Sequence, residues 1–311
     1  MKSLTIKHFR YFLALAEARH FGRAAQACSI SQPALSLQIK ELEDLLGVRL
    51  VERRGRQILL TGLGEEFARR AFTVLREVDE IGDLVRSRRE DLSGPFRLGV
   101  IPTIGPYFLP DVVQALTRRY PGIEITIRET VTSKLEEAIQ AGELDAAIVA
   151  LPVSVPAFAE VELFDEEFVL VRSSADGDKP VPEAGDLEAL KLLLLEDGHC
   201  FRDQALSFCG FSASGARNVM DGSSLSTLVH MVAAGVGVTL IPEMAVPIET
   251  RTASVSISRF GAPAPRRVIG MIWRRTNPMG EQLRRVSDLV RDVAHRAGAA
   301  SQEGSREAAS A

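Results

Sequence analysis

From residue 96 onward, short apolar stretches alternate with amphipathic stretches of helical length. Strands are predicted at 96–101, 124–129 and 146–151, with helices at 107–119 and 133–141 between them. Such alternation makes neighbouring strands parallel and covers the sheet with helices. Further strands are predicted at 168–171, 192–195, 218–220, 237–241 and 267–273, and further helices at 224–234 and 281–294. The pattern predicts two α/β lobes with ligand space between them, since open parallel sheets bind ligands where their strands end.

The length and composition exclude several classes of protein. A chain of 311 residues can hold two or three domains. It shows no secretory leader and no apolar run of membrane-spanning length, which predicts a cytoplasmic protein. Three cysteines cannot make a structural disulfide framework, so any disulfide here would be transient or sensory. Cys28 lies in an Ala-rich helical stretch and is expected to be a small buried filler.

The net charge of −4 hides an uneven distribution. Residues 1–62 hold ten Lys or Arg against five acids, which gives this segment +5 and leaves −9 for the remainder. The acidic whole therefore does not exclude a nucleic-acid partner, because the basic surface is local.

Two helices joined by a tight turn occupy this basic segment. A short helix at 23–28 follows the break at Phe21-Gly22, and Ser31 is a good N-cap for the next helix, with Pro33 in its first turn. That helix should end at Gly47. Its buried face is Leu35, Ile39, Leu42 and Leu46, and its outer face is Gln32, Ser36, Gln38 and Lys40. This is a helix-turn-helix pattern whose second helix could enter a major groove. The alternative is a small helical domain with surface arginines.

A hairpin and a long helix follow. Residues 48–60 resemble a hairpin with Arg53, Arg54 and Arg56 at its tip, which suits phosphate or minor-groove contact. From Leu63 the helix carries a narrow apolar seam, which favours self-association into a dimer over packing on its own domain. The seam residues are Phe67, Ala71, Val74, Val78, Ile81 and Val85. Ser93-Gly94-Pro95 marks the expected domain boundary.

The most unusual stretch runs from Glu196 to Gln204. A buried strand at 192–195 should lead through a turn at Gly198 into a short helix at 203–208, with Cys200 at or just before its N-terminus. The positive end of the helix dipole, His199 and Arg202 would all favour the Cys200 thiolate. Cys200 is thus a candidate reactive thiol, and Cys209 is its possible resolving partner.

The spacing of the two cysteines has a geometric consequence. Nine residues of helix rise about 13.5 Å, whereas a disulfide needs Cα atoms within about 7 Å. If the segment is helical when reduced, a Cys200–Cys209 bridge requires part of it to unfold. By spacing alone, two unrelated small residues in a core are the more ordinary interpretation.

Other sites have weaker support. Gly235-Val236-Gly237 lacks the lysine of a phosphate-binding loop, so nucleotide binding is rejected. The five histidines are scattered, and no metal site is predicted. Thr103 and Thr132 each follow a predicted strand, where a Thr is more often a cap than a ligand contact. The pair His199-Cys200 keeps a thiol enzyme under consideration.

Several motifs together resemble a known family. In the N-terminal part these are Ala24-Ala25, the run from Ser31 to Ser36, Leu42-Glu43, the run from Leu46 to Leu50, Arg53 and Thr61. They resemble the LysR-type transcriptional regulators. The match continues through residues 99–107, the Gly-His-Cys-x-Arg-Asp-Gln block, Cys209 and residues 231–235. That combination looks like the hydrogen-peroxide-sensing OxyR subfamily and covers nearly the whole chain.

The resemblance implies an α/β architecture. It would comprise an N-terminal winged helix-turn-helix, a long linker helix, and two Rossmann-like α/β lobes of the periplasmic-binding-protein type. The expected boundaries are 1–62 for the DNA-binding domain, 63–93 for the linker helix, 94–165 with 268–297 for lobe I, 166–267 for lobe II, and 298–311 for a disordered tail.

The resemblance also implies roles for individual residues. Cys200 would be the peroxidatic thiol, which passes through a sulfenic acid, and Cys209 would close the disulfide. Thr103, Thr132, His199, Arg202 and Asp203 would form the peroxide pocket. Gln32, Pro33, Ser36, Lys40, Arg53 and Arg54 would contact DNA. Many relatives have Arg at the position of Leu37, so the operator sequence cannot be carried over.

The implied partners and function follow from the same resemblance. The protein would be a non-enzymatic tetramer, a dimer of dimers, acting on promoter DNA of catalase and related defence genes. RNA polymerase and a thiol reductant such as glutaredoxin or thioredoxin would be partners, and hydrogen peroxide would be the oxidant without a cofactor. A LysR-type sensor of a metabolite between the lobes and a thiol peroxidase remain alternatives.

Overall fold

The computed structural model describes residues 3–54, 57–86, 91–182, 187, 190–198, 200–208 and 219–308. The chain divides into two compact units, Met1–Val85 and Arg86–Ala311. In the described chain no helix is both long enough and apolar enough to cross a bilayer.

The first unit is a helix-turn-helix followed by a hairpin and a long helix. Its elements are α1 (Ile6–Ala18), α2 (Phe21–Ala27), α3 (Gln32–Leu46), β1 (Val51–Arg54), β2 (Gln57–Leu60) and α4 (Gly62–Arg86). The two strands pair antiparallel, so the hairpin forms the predicted wing. Its core centres on Phe12, Leu35 and Leu42, and Phe67 of α4 packs edge-on against Phe12.

Local caps decide where these helices begin and end. Ser31 accepts a hydrogen bond from the Ala34 N–H, and Gly47 ends α3 with a φ of 70°, so both predicted boundaries are confirmed. The prediction for α2 was wrong by two residues. It begins at Phe21 because the His20 ring accepts hydrogen bonds from the N–H groups of Gly22 and Arg23, so the Phe21-Gly22 pair starts this helix.

One buried carboxylate joins α3 to the wing. Glu43 is buried, and its Oε1 accepts hydrogen bonds from the N–H groups of Leu50 and Val51 at 2.7 and 3.1 Å. Its Oε2 contacts Arg49 at 3.1 Å. Glu43 thereby fixes the wing relative to the recognition helix.

Replacing Glu43 by alanine should lower the free energy of unfolding of the first unit by about 1–3 kcal/mol, because two backbone donors lose their acceptor. Urea unfolding followed by far-UV circular dichroism and hydrogen exchange at the Leu50 and Val51 amides would measure this. Glu17→Ala, at an exposed position of α1, is the control and should change stability by less than about 0.5 kcal/mol. Unchanged amide protection in Glu43→Ala would contradict the assignment.

The second unit is built on one continuous sheet of two lobes. Its elements before the lobe crossing are β3 (Gly94–Val100), α5 (Gly105–Arg119), β4 (Ile123–Glu129), α6 (Thr132–Ala141), β5 (Ala146–Leu151) and β6 (Phe158–Ser173). Those after it are β7 (Leu192–Leu195), α7 (Cys200–Phe208), β8 (Val219–Gly222), α8 (Leu225–Ala233), β9 (Val238–Pro242), α9 (Val246–Glu249), β10 (Val255–Arg259), β11 (Arg266–Arg274) and α10 (Gly280–Ala308).

The strand order explains the two lobes. β4, β3 and β5 are parallel, and β11 joins them to the first half of β6 by antiparallel pairing. The second half of β6 pairs antiparallel with β9 and β10, and β9, β7 and β8 run parallel. Each half has its own apolar core, one around Phe96 and Trp273 and one around Phe168 and Leu194. We call them lobe I and lobe II, and β6 belongs to both.

Three predicted bounds differ from the structure. The strand predicted at 168–171 is the end of the 16-residue β6, whose first half alternates with charged residues and is held by β11. The linker helix ends at Arg86 within the described chain, and Gly94 opens β3. The predicted disordered tail is helical to Ala308, because Ala, Arg, Glu and Gln are good helix formers. Residues 309–311 lie outside the described chain.

Candidate functional site

The strand–turn–helix predicted around Cys200 is present. β7 is fully buried, Gly198 turns the chain with a φ of 96°, and Cys200 is the first residue of α7. Gly is suited to this turn because a φ in this range strains other residues. Cys200 therefore lies at the positive, N-terminal end of the α7 dipole.

Cys200 also lies at the junction of the lobes. Its half-buried side chain packs against the apolar core of lobe I. The next residue, Phe201, belongs to the core of lobe II and packs edge-on against Phe168 at 4.9 Å between ring centroids. Two successive residues thus contact different lobes, so a change in the backbone of α7 would reach both.

Arg202 has partners that its expected role did not include. Its Nε contacts Asp197 at 2.9 Å, and its Nη1 donates to the Leu195 carbonyl at 2.9 Å and contacts Asp221. The guanidinium therefore ties the turn before α7 to the end of β7 and to β8. Two carboxylates share its charge, and its expected support of the Cys200 thiolate stays a prediction.

Three of the residues predicted around Cys200 lie wholly or partly outside the described residues. His199 and Cys209 lie outside the described residues, and for Asp203 only the backbone, in α7, is described.

The two candidate threonines occupy equivalent places in lobe I. β3 and β4 are parallel with Val100 opposite Glu129. Thr103 and Thr132 each lie three residues beyond that pair, at the same edge of the sheet. Thr103 is buried at 2% exposure, and Thr132 is the first residue of α6.

Thr103 is held by a buried ion pair that sequence reasoning missed. Arg267 donates from Nη1 to the Thr103 hydroxyl at 2.8 Å and from Nη2 to its carbonyl at 3.1 Å. The same guanidinium contacts the Glu166 carboxylate at 2.6 and 2.8 Å. Burial raises the pKa of Glu166, and the charge of Arg267 opposes that increase.

The ion pair extends to the residue beside Cys200. The Arg267 Cζ lies 5.5 Å from the ring centroid of Phe201 and 5.8 Å from that of Phe168, within the range of a cation–π interaction. In the sequence, Arg267 was the first residue of a predicted strand and Glu166 preceded another by two residues. Because the partners are 101 residues apart, that signal could not identify the pair.

Two buried polar atoms have unused hydrogen-bonding capacity. Neither the Thr132 hydroxyl nor the Gln204 amide oxygen has a protein hydrogen-bond partner. Gln204 lies one helical turn after Cys200 in α7. A hydroxyl can donate and accept a hydrogen bond, whereas an amide oxygen can only accept one.

The candidate DNA-binding face lies on α3 and the wing. Gln32, Pro33 and Lys40 are exposed and Ser36 is half-buried. Arg53 and Arg54 belong to β1, and their side chains lie outside the description. Among the described residues, no cluster of His, Cys, Asp or Glu could hold a metal ion.

Two family models match the chain. Residues 6–65 match the bacterial regulatory helix-turn-helix protein, lysR family, and residues 89–295 match the LysR substrate binding domain. The chain is 41% identical over 290 residues to the DNA-binding transcriptional dual regulator OxyR of Escherichia coli K12, covering 93% of this chain and 95% of the relative. It is 42% identical over 275 residues to the probable hydrogen peroxide-inducible genes activator of Streptomyces viridosporus, covering 87% and 88%.

Solved structures of OxyR proteins are also similar to this chain. A full-length cysteine-to-aspartate variant of Pseudomonas aeruginosa OxyR has a TM-score of 0.73 at 36% identity, with 94% of this chain and 96% of that chain covered. A Corynebacterium glutamicum OxyR cysteine-to-serine mutant, H2O2-bound, has a TM-score of 0.67 at 33% identity, with 97% of each chain covered. The helix-turn-helix of the first unit marks a DNA-binding protein rather than an enzyme. The chain belongs to the LysR family of transcriptional regulators and, within it, to the OxyR group of hydrogen peroxide-inducible activators.

Proposed function

We propose that this protein is a hydrogen-peroxide-sensing, DNA-binding transcriptional activator whose sensor is Cys200. The observation that carries the proposal is the position of Cys200 at the start of α7, packed on lobe I while its neighbour Phe201 packs in lobe II. A thiol there combines electrostatic support with a mechanical link to both lobes.

The proposed chemistry needs only peroxide and two thiols. The Cys200 thiolate attacks one peroxide oxygen, an S–O bond forms, the O–O bond breaks, and the released hydroxide takes a proton to become water. The Cys209 thiolate then attacks the sulfenic sulfur, an S–S bond forms, and the S–O bond breaks with loss of a second water. Peroxide is the oxidant, no cofactor takes part, and a cellular dithiol such as glutaredoxin or thioredoxin reverses the change.

Residues of both lobes would form the peroxide site. Thr103 and Thr132 place hydroxyls at one edge of the sheet. The buried Thr132 hydroxyl has no protein hydrogen-bond partner among the described residues and can therefore bind peroxide. Arg267, which is ion-paired with Glu166, holds Thr103 in place and lies beside Phe201. We retain His199 and Asp203 as expected neighbours of the thiol, and we assign Arg202 to the turn that positions it.

The secondary structure supports a switch of shape. α7 runs from Cys200 to Phe208 without interruption, so its ends are about 12 Å apart at 1.5 Å per residue. A disulfide from Cys200 to the residue after this helix requires Cα atoms within about 7 Å. Oxidation would therefore unwind part of α7 and withdraw contacts from both cores, which would shift one lobe relative to the other.

Oxidation is proposed to change the spacing of the DNA-binding domains in a homo-tetramer, a dimer of dimers. On α4, Val74 and Ile81 of the apolar seam are 39% and 65% exposed, whereas Phe67 packs on the core of the first unit and Ala71 is buried. The exposed half of the seam supports pairing between copies. We place the protein in the cytoplasm, where promoter DNA and RNA polymerase are its partners.

Peptide mapping after peroxide treatment tests the sensor. Reduced full-length protein exposed to a small molar excess of hydrogen peroxide should yield one intramolecular Cys200–Cys209 disulfide by mass spectrometry. DNase footprints on its own promoter region, with reduced and oxidised protein, should differ in extent. If the protein gives a footprint but forms no such disulfide, the redox mechanism is wrong, and the protein is a DNA-binding regulator that responds to a different signal. Continuous peroxide turnover with a dithiol would instead indicate a peroxidase.

A further inference from the structure

Leu37 is the large apolar side chain that α3 leaves exposed, at 56%. α3 is described throughout, and its buried residues are Leu35, Ile39, Leu42 and Glu43. An exposed leucine among polar neighbours contributes nothing to the core of this unit. It is therefore available to a partner.

The helix geometry places Leu37 at the centre of the outer face. At about 100° per residue, Leu37 lies almost diametrically opposite the middle of the buried stripe. Exposed Pro33 and Lys40 flank it on that face, and half-buried Ser36 lies beside it. The first turns of a recognition helix are the part that approaches base edges in the major groove.

A leucine at that place can read only one kind of base feature. It has no hydrogen-bond donor or acceptor, and the apolar group that a base pair presents in the major groove is the C5-methyl of thymine. The +5 charge of residues 1–62 supports a polyanionic partner over a protein surface. We propose that Leu37 selects DNA by contact with a thymine methyl group. This inference rests on the proposed DNA-binding function, with α3 in the major groove.

Single-methyl changes in the DNA test the contact. Duplexes selected from a random library by the full-length reduced protein would be resynthesised with deoxyuridine at each thymine in turn, which removes only the methyl. At one position or more the wild type should bind the deoxyuridine duplex about fourfold more weakly, the value expected for one buried methyl group. Leu37→Ala should bind the two duplexes of that position equally.

Two further variants make the outcome decisive. Leu63→Ala removes another exposed leucine of the same unit, 50% exposed at the start of α4, and should keep the fourfold discrimination. Leu37→Arg should change the selected base at that position from thymine to guanine, because Arg pairs with the guanine edge. If Leu37→Ala discriminates as the wild type does, or the wild type discriminates nowhere, the inference is wrong while DNA binding stands. If no duplex is enriched, the proposed function itself fails and this inference falls with it.

Discussion

Cys200→Ser should bind DNA as the reduced wild type does and should not respond to hydrogen peroxide at all. A serine hydroxyl stays protonated at neutral pH, whereas the thiolate is the form of cysteine that attacks peroxide. Cys200 is half-buried at the first position of α7, where serine is well accepted, so the fold of both units should be retained. Footprinting and in vitro transcription before and after peroxide would measure the loss.

Cys28→Ser is the matched control for this experiment. Cys28 is also half-buried, but it lies at the end of α2 in the other unit, and burial raises the pKa of its thiol. A thiol with a raised pKa holds less thiolate at neutral pH and reacts more slowly. Cys28→Ser should therefore keep the full response. A peroxide-dependent footprint in Cys200→Ser would locate the sensor elsewhere.

Arg267→Met should lower the free energy of unfolding of the second unit by about 3–5 kcal/mol. The substitution leaves Glu166 buried without its counter-charge and removes the donors that hold Thr103. Trp273 lies in the core of lobe I and is the last residue but one of the same β11, so its fluorescence during urea unfolding reports on the unfolding of this unit.

The destabilisation should depend on pH in a defined direction. Burial already raises the pKa of Glu166, and without Arg267 nothing of comparable size opposes that increase. In the unfolded chain the carboxyl returns to an ordinary pKa of about 4.3. At a pH between the ordinary pKa of the unfolded chain and the raised pKa of the folded variant, Glu166 is protonated only in the folded state. The free energy of unfolding of the variant therefore falls as the pH rises through the raised pKa. The deficit should be larger at pH 8 than at pH 5.

A double variant separates the buried charge from lost packing. Glu166→Gln combined with Arg267→Met leaves no buried charge at this site, so it should recover most of the lost stability and show no pH dependence from the site. If the double variant is as unstable as Arg267→Met at every pH, packing around the guanidinium is responsible rather than the unpaired carboxylate.

The parts of the fold that depend on near neighbours could be predicted from the sequence. Ser31 and Gly47 bound α3 because a cap is formed within four residues of the helix end. The strand–helix alternation predicted the three parallel strands of each lobe, and the Gly198 turn placed Cys200 at the start of a helix. The antiparallel pairing of β11 and β6 between the lobes was not predicted. The first half of β6 was missed because its alternating charges gave no continuous apolar run, and its pairing with β11 supplies the stability instead.

The geometry of the site was decided only by the tertiary structure. Arg202 forms ion pairs with Asp197 and Asp221, and the second partner, on the neighbouring strand β8, could not be predicted from spacing along the chain. Glu166 and Arg267 meet because β6 and β11 pair, and no local pattern records a partner 101 residues away. The sequence alone determined which thiol stands at a helix N-terminus and which segment is basic, because short-range spacing and residue type suffice for both. That Cys200 packs on lobe I while Phe201 packs in lobe II depends on how distant strands pair, since burial is a property of the assembled cores.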